Sequence, residues 1–158
     1  MQRIAVIALI RKGSKYLIVN HVKRGWDIPG GYVLTDEDIV SALTREILEE
    51  TGFKIDNIKL KAIYSNLQFE IVKGIPSTKT IFGFLVDYVS GDFVRNSEII
   101  NYQFIKKEKA SKYITDKLQL IRFNDLVKNE SKIIYVAYNK TPYSEVVRQK
   151  IDWVLVKQ

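Results

Sequence analysis

The stretch Gly30–Phe53 reads GGYVLTDEDIVSALTREILEETGF and holds the densest group of charges in the chain. It opens with a glycine pair, continues with helical periodicity and stops at Thr51-Gly52. Three carboxylates and one arginine fall within six residues of it, and they are Arg45, Glu46, Glu49 and Glu50. Such a concentration is either a solvated helix face or a site for cations.

The angular positions of these acids on a helix favour a cation site. At about 100° per residue, Glu46 and Glu50 lie about 40° apart, and Glu49 lies about 60° to the other side of Glu46. The apolar stripe of the same helix is centred only about 80° from Glu46. Its members are Ile39, Val40, Leu43 and Ile47. The acids therefore flank the side that faces the core, and we expect at least Glu46 and Glu50 to be partly buried.

A half-buried cluster of carboxylates requires a positive counterpart. Like charges at this spacing repel one another, and their burial is costly unless something neutralises them. Arg45 alone is not enough for three acids. Hard divalent cations, which bind carboxylate oxygens, are sufficient. The stretch therefore predicts a divalent-cation site.

Length and composition restrict the remaining possibilities. The chain has 158 residues, which suits one domain over residues 1–158 and is too few to expect two. Its 46% hydrophobic and 27% charged residues are typical of a globular protein. Apolar runs are too short for a membrane-spanning helix, so we expect no membrane partner. Because the chain has no cysteine, a disulfide framework and a thiolate metal site are excluded, and we expect a cytoplasmic location.

The net charge of +7 is unevenly distributed. Residues 31–53 carry six acids and one base, a net charge of −5, so the rest of the chain carries +12. A basic body around one acidic segment suits a polyphosphate that arrives with its metal ions. The same field attracts RNA, although most of the scattered lysines serve only solubility.

Hydrophobic patterning outside this stretch predicts a sheet with several helices. The runs typical of strands are Arg3–Ile10, Lys15–Val22, Lys59–Val72, Lys79–Val89 and Ile133–Tyr138. The third and fourth read as a hairpin across Gly74–Ser77, and the fourth, apolar on both faces, is expected to be central. The segments typical of helices are Lys106–Tyr113 and Asp116–Val127.

Two sets of helix-end signals are also present. Asp38 suits the N-cap of the acidic helix, with Thr35 as a competing cap, and Gly52 suits the left-handed position after its end. Thr141-Pro142 reads as the cap and first residue of a closing helix. The apolar residues at helical spacing in that segment are Val147, Ile151, Val154 and Leu155.

The segment before the glycine pair offers weaker candidates. His21 is the only histidine. A lone histidine at a strand end is more often packed than catalytic. The sequence therefore gives no strong reason to propose a Ser–His–Asp arrangement. Lys23 and Arg24 are candidate phosphate contacts. Trp26 is a candidate for stacking on a substrate or for packing. Pro29 and the glycines permit a turn that brings bare backbone against a metal or phosphate.

The acidic stretch resembles the signature of the Nudix hydrolases. That signature is Gly, five residues, Glu, seven residues, Arg-Glu, a bulky apolar residue, any residue, Glu-Glu, any residue, Gly and a bulky apolar residue. The matching residues are Gly31, Glu37, Arg45, Glu46, Ile47, Glu49, Glu50, Gly52 and Phe53. The match spans 23 residues, and Phe53 departs mildly because an aliphatic residue is more usual there.

The resemblance implies a fold and a reaction. The fold is α+β, a mixed β-sheet between helices, here in a single domain with an extra C-terminal helix. The reaction is hydrolysis of a phosphoanhydride in a nucleoside diphosphate derivative with Mg²⁺ or Mn²⁺. Carried over by position, Glu46, Glu49 and Glu50 bind metal, Gly30 offers its carbonyl as a further ligand, and Arg45 orients an acid.

The resemblance leaves the general base and the substrate open. The base varies within the family, and Glu46 is favoured here. Glu98, in a later loop, is a further candidate acid, although an exposed loop acid is an equally good interpretation. The family's side motifs for ADP-ribose, coenzyme A and NADH hydrolases are missing, so elimination favours the MutT-like group and a (d)NTP. An RNA 5′ end as substrate, or a non-catalytic nucleotide-binding regulatory domain, is the alternative. The sequence does not predict an oligomeric state.

Overall fold

Nine β-strands join into one sheet in the part of the chain that the computed structural model describes, residues 1–152. The strands are β1 (Gln2–Lys12), β2 (Lys15–His21), β3 (Gly25–Asp27), β4 (Gly30–Tyr32), β5 (Lys54–Val72), β6 (Ile75–Ser90), β7 (Ile99–Ile105), β8 (Ile133–Asn139) and β9 (Ser144–Ile151). The α-helices are α1 (Ile39–Thr51), α2 (Ala110–Tyr113) and α3 (Lys117–Val127). None of the described helices is long and apolar enough to cross a membrane.

The sheet is mixed, as expected. Its strand order is β3-β2-β1-β6-β5-β8-β9, with β4 paired to β1 and β7 paired to β2. The pairs β1–β6 and β5–β8 are parallel, and the other pairs are antiparallel. Strand β6 lies in the middle of this order, which confirms the prediction from its two apolar faces.

Two apolar layers cover the sheet, one on each face. The layer beneath α1 contains Leu43 and Ile47 of the helix together with Phe84 and Val86 of β6. The layer beneath α3 contains Phe123 and Leu126 together with the opposite face of the same strand, where Ile81 and Leu85 lie. The alternation along β6 thus separates the two layers, and its aromatic residues pack in the core.

The ends of α1 follow the predicted signals. The side chain of Asp38 accepts a hydrogen bond from the Ser41 backbone N–H at 2.9 Å, and Gly52 adopts a left-handed φ of 79°. Asp38, rather than Thr35, is therefore the cap. Helix α3 likewise begins after Asp116, which accepts from the Gln119 N–H at 3.0 Å. These caps set the position at which each helix meets the sheet.

Two expectations about shorter segments need correction. The hairpin between β5 and β6 turns at Lys73-Gly74, not across Gly74–Ser77, because both residues adopt positive φ (50° and 77°) and make a two-residue turn. The segment expected to be helical over Lys106–Tyr113 is a short 3-10 helix, Lys107–Lys109, followed by the single turn of α2.

The predicted closing helix is wrong over the residues that the structure describes. Ser144–Ile151 forms strand β9, which pairs antiparallel with β8. Every residue of β9 is exposed, so the apolar spacing that suggested a helix does not mark a buried stripe. The edge of β8 instead offers backbone hydrogen bonds that an isolated, uncovered helix could not match. Val154 and Leu155 lie outside the described residues.

Candidate functional site

The acidic helix α1 meets the sheet at strand β4. A side chain at Gly31 would overlap the carboxylate of Glu46, and one at Gly30 would overlap the Val6 carbonyl. Both positions therefore require glycine for close approach rather than for an unusual backbone angle. The Gly30 N–H donates to Glu50 Oε2 at 3.1 Å, so the backbone of β4 and the acids of α1 are in direct contact.

Gly31→Ala is a sharp test of this contact. The added methyl group must displace the Glu46 carboxylate, which the sequence predicts to be the base, and a misplacement of about 1 Å at a base can lower turnover about 10²-fold. We expect such a loss in kcat, with the fold retained by circular dichroism. Turnover equal to that of the wild type would show that the position of Glu46 is unimportant.

Arg45 joins the acids of this stretch into one network. Its Nε and Nη2 donate to the two oxygens of Glu37 at 2.7 and 2.9 Å. Its Nη1 donates to Glu46 at 2.9 Å and to Glu49 at 3.2 Å, and Nη2 also donates to the Tyr32 carbonyl at 3.1 Å. The hydrogen bonds that it donates to carboxylates, above all to Glu37, raise the pKa of Arg45 above its usual range. Arg45 therefore stays charged and fixes two acids of α1 beside β4.

Glu37, which matches the signature but received no role from the sequence, belongs to the Arg45 network. It precedes α1, so its angle on the helix could not be used. Its carboxylate accepts both bonds of the Arg45 fork and a bond from the Leu34 N–H at 3.1 Å. The bond from Arg45 lowers the pKa of Glu37. Glu37 therefore fixes the position of Arg45, which in turn contacts Glu46 and Glu49.

The three glutamates of α1 differ in how far they are exposed. Glu50 is 8% exposed, and the Glu46 side chain is 15% exposed, which confirms that both are partly buried. Burial, together with the nearby charges of Glu46 and Glu98, raises the pKa of Glu50 to about 8. Burial also raises the pKa of Glu46, against the opposing bond from Arg45. Glu49 is 60% exposed, so it is the most accessible of the three.

The carboxylates do not converge on one point as they stand. Within residues 1–152, no group of three or more acidic or histidine side chains is close enough to hold a metal ion. Glu46 and Glu49 turn towards Arg45, whereas Glu50 turns towards the Gly30 N–H. The donor set is nevertheless all oxygen, which suits Mg²⁺ or Mn²⁺. Metal binding at these acids therefore needs side-chain rotation.

Glu98 lies in the loop that faces the same acids. It is exposed, and its charge raises the pKa of both Glu46 and Glu50. Its carbonyl accepts from the Val22 N–H at 2.9 Å, and its own N–H donates to Asn96 Oδ1 at 2.9 Å. Asn96 also donates to the Glu50 carbonyl at 3.0 Å, a tie between this loop and α1 that sequence analysis missed.

The weaker candidates divide between packing and the surface. His21 is buried, its Nδ1 accepts from the Lys23 N–H at 3.1 Å, and burial lowers its pKa, so it is a neutral packed residue. Trp26 packs edge-to-face on Tyr113 with ring centres 5.7 Å apart. Lys23 is exposed. Arg24 pairs with Asp27 at 3.0 Å and, of these candidates, is the one that lines a cleft.

That cleft lies along β4 and has a volume of about 240 Å³. Gly30, Gly31 and Tyr32 form one wall, and residues from β1, the segment 24–28, β6, α3 and the end of β8 line the rest. Its charged side chains are Arg24, Asp27, Lys79, Arg122 and Lys140. Sequence analysis missed the last three because no short-range pattern links residues so far apart in the chain.

The pKa of Lys79 reflects the burial and the positive charge of this cleft. Burial, with Arg122 and Lys140 nearby, lowers the pKa of Lys79 to about 8 from an ordinary value of 10.5. A lysine with a lowered folded-state pKa destabilises the fold below about pH 8, and this destabilisation disappears as pH rises towards 10.5.

Lys79→Met should therefore stabilise the protein at pH 7. We expect a gain on the order of 1–2 kcal/mol in the free energy of unfolding, reduced for the partial exposure of the ammonium group. The gain should shrink as the pH approaches 10.5. Urea unfolding at pH 7 and pH 10 measures both values. A gain that does not change with pH would mean that Lys79 carries its ordinary pKa.

Comparison with known proteins agrees with this geometry. A family model described as NUDIX domain matches residues 1–125. The chain belongs to the Nudix hydrolase family. The signature-matching residues of β4 and α1 lie inside the matched region. The mixed sheet with helices on its faces is therefore the Nudix fold, as the resemblance implied.

Individual Nudix relatives differ in what their names say they act on. YtkD of Bacillus subtilis, provisionally named an 8-oxo-dGTP diphosphatase, is 39% identical over 72 residues, covering 44% of this chain and 46% of YtkD. The NAD-capped RNA hydrolase NudC of Haemophilus influenzae (strain PittGG) is 31% identical over 113 residues, covering 66% of this chain and 39% of NudC. The chain thus spans less than half the length of these two relatives.

A solved structure supports the fold over nearly the whole chain. A MutT protein from Bacillus halodurans superposes with a TM-score of 0.75 and covers 94% of this chain and 97% of its own. Its sequence identity is 21%, so the likeness concerns the fold alone. This neighbour extends the similarity beyond the residues that the family model matches.

Proposed function

We propose that this Nudix hydrolase is a metal-dependent pyrophosphohydrolase that cuts a phosphoanhydride in a nucleoside diphosphate derivative. The observation that carries the proposal is the Arg45 network, which holds Glu46 and Glu49 beside the backbone of β4 while Glu50 is buried against Gly30. A purely structural helix would gain nothing from carboxylates set at the edge of its core. The proposal takes residues 1–158 as one domain in the cytoplasm.

The side chains divide the chemical work. Glu46, Glu49 and Glu50, with the Gly30 carbonyl, would hold one or more Mg²⁺ or Mn²⁺ ions. Such ions neutralise phosphate oxygens and lower the pKa of a bound water. Glu46 is the favoured base for the attacking water, as in the sequence analysis, and its burial raises its pKa above the ordinary carboxyl value. Arg45 keeps Glu46 in position, and Glu98 supplies a further carboxylate from the facing loop.

The substrate proposed first is a (d)NTP or a related nucleotide. The MutT-like signature without side motifs supports it, as does the name of YtkD. A screen of nucleoside triphosphates, dinucleotides, nucleotide sugars and 5′-triphosphate RNA, with Mg²⁺ or with EDTA, tests the proposal. We expect phosphate or pyrophosphate release from at least one compound, only with metal. No turnover on any compound would favour a non-catalytic binding domain.

An RNA 5′ end is the second candidate substrate. The observations that favour it are the net charge of +12 outside residues 31–53 and the similarity to NudC, which is named for NAD-capped RNA. This candidate predicts that capped or triphosphate RNA outcompetes free NTP. It also predicts that affinity falls steeply as salt rises, because phosphate contacts release counterions. Equal affinity at low and high salt would exclude it.

A further inference from the structure

The cleft beside β4 carries more positive charge than its own acids neutralise. Four cationic side chains line it, from Arg24, Lys79, Arg122 and Lys140, against the single carboxylate of Asp27. Asp27 is already engaged, because it accepts from Arg24 at 3.0 Å and from the Ile28 N–H at 2.6 Å. In the described part of the chain, the other three cations therefore form no ion pair inside the cleft.

Arg122 is the least satisfied of these cations. It is 5% exposed, and its buried Nε has no hydrogen-bond partner among residues 1–152. Its hydrogen bond in the described part of the chain runs from Nη2 to the Tyr138 hydroxyl at 3.0 Å, and its guanidinium lies 5.4 Å from the centre of the Tyr64 ring. Aromatic rings stabilise a cation only partly, and a buried charge without an anion is costly.

Glu70, an acid near Lys79 and Lys140, already pairs with other side chains on the surface. Glu70 accepts from Arg3 at 3.2 Å and pairs with Lys140 at 3.6 Å on the surface. Arg122 and Lys79 form no ion pair with any carboxylate among residues 1–152. Lys79 faces the Tyr32 ring at 5.7 Å instead. Arg122 and Lys79 thus share a partly enclosed space in which neither forms an ion pair with a described residue.

The cationic cleft lies next to the acidic residues of α1, and strand β4 lies between them. Gly30, Gly31 and Tyr32 line the cleft, and the same strand contacts Glu46 and Glu50 of α1. A substrate could therefore cross β4 and reach both places. At about 240 Å³ the cleft is smaller than the roughly 300 Å³ at which whole-ligand pockets begin, so it suits one part of a substrate.

We propose that this cleft binds a phosphate group of the substrate that is separate from the diphosphate cut beside α1. The substrate class is then a nucleotide that carries an additional phosphomonoester, for example on its ribose. Arg122 and Lys79 contact that phosphate, and Lys140 and Arg24 lie at its rim. Arg122 gains a direct ion pair, which residues 1–152 do not give it. The assignment of two phosphate sites rests on the proposed function, whereas binding in the cleft does not.

Matched nucleotides test the cleft without turnover. Isothermal titration in EDTA would compare AMP with adenosine 3′,5′-bisphosphate and adenosine 2′,5′-bisphosphate, and the guanosine counterparts in the same way. We expect at least one bisphosphate to bind about tenfold or more tightly than its monophosphate. Equal affinities in every pair would overturn the proposal.

Variants then assign the preference to the cleft. Arg122→Gln and Lys79→Met should each remove most of the preference, and Arg122→Lys should retain part of it because the charge remains. Lys15→Met changes net charge equally at the exposed first residue of β2, so the preference of this variant should be unchanged. A preference that survives in both Arg122→Gln and Lys79→Met, or that Lys15→Met weakens equally, would overturn the proposal. Lys79 is half-buried, so its substitution also serves if Arg122→Gln fails to fold.

Turnover separates this proposal from the proposed function. Glu49→Gln plus Glu50→Gln should abolish hydrolysis and leave the bisphosphate preference unchanged, since neither acid lines the cleft. A wild-type protein that hydrolyses nucleotides without any bisphosphate preference contradicts the cleft proposal alone. A protein that shows the preference and hydrolyses nothing contradicts the proposed function alone.

Discussion

Replacing Glu49 and Glu50 together by glutamine should lower kcat by about 10³-fold or more at saturating Mg²⁺. Glutamine keeps the shape of each side chain and removes two of the three negative charges proposed to hold the metal. Removal of a single electrostatic contact to a reacting group already costs about 10²–10³-fold. Initial rates on the best substrate from the nucleotide screen measure the loss.

A matched control distinguishes this effect from a general change in charge. Asp36→Asn plus Glu108→Gln removes two negative charges from exposed positions, and Asn suits the positive φ of 65° at residue 36. This control should keep wild-type rates. If the Glu49 and Glu50 variant also kept them, the carboxylates of α1 could not be the metal-binding acids.

Arg45→Met should have the second largest effect, about a 10²-fold loss in kcat/KM. The substitution removes all the bonds that fix Glu37, Glu46 and Glu49 relative to β4. The acids then repel one another without a partner, and misplacement by about 1 Å is enough for a loss of this size. Arg45→Lys should recover little, because an ammonium group cannot supply the fork that binds both oxygens of Glu37.

Arg11 provides the control for this substitution. It also pairs with a carboxylate, Asp87, at 3.0 Å, but on the surface and away from β4. Arg11→Met should leave kcat/KM unchanged, since surface ion pairs contribute little. A loss in Arg11→Met as large as that in Arg45→Met would mean that charge or stability, rather than the orientation of the acids, controls the rate.

The sequence predicted the acidic half of this site well. The angles of Glu46 and Glu50 relative to the apolar stripe indicated partial burial, and the structure confirms it. The prediction of the apolar stripe was less accurate, because Val40, one of its four members, is 48% exposed. Helical periodicity gives angles along one element, so it can place residues of α1 relative to each other. It carries no information about residues outside the helix, such as Glu37.

The cationic cleft could not be predicted for the same reason. Arg24, Lys79, Arg122 and Lys140 come from four distant segments, which the strand order of the sheet and the packing of α3 on it bring together. The prediction of a helix in the region of β9 failed for a similar reason. The spacing of Val147 and Ile151 fits a helix, but the open edge of β8, which no local pattern records, determines the outcome.

Metal binding by the purified protein tests the central claim most directly, because it does not depend on knowing the substrate. Mn²⁺ titration followed by electron paramagnetic resonance would compare the wild type, Glu49→Gln plus Glu50→Gln, and the control Asp36→Asn plus Glu108→Gln. We expect the wild type and the control to bind Mn²⁺ equally, and the Glu49 and Glu50 variant to bind at least about tenfold more weakly. Equal Mn²⁺ affinity in all three proteins would contradict a metal site on α1.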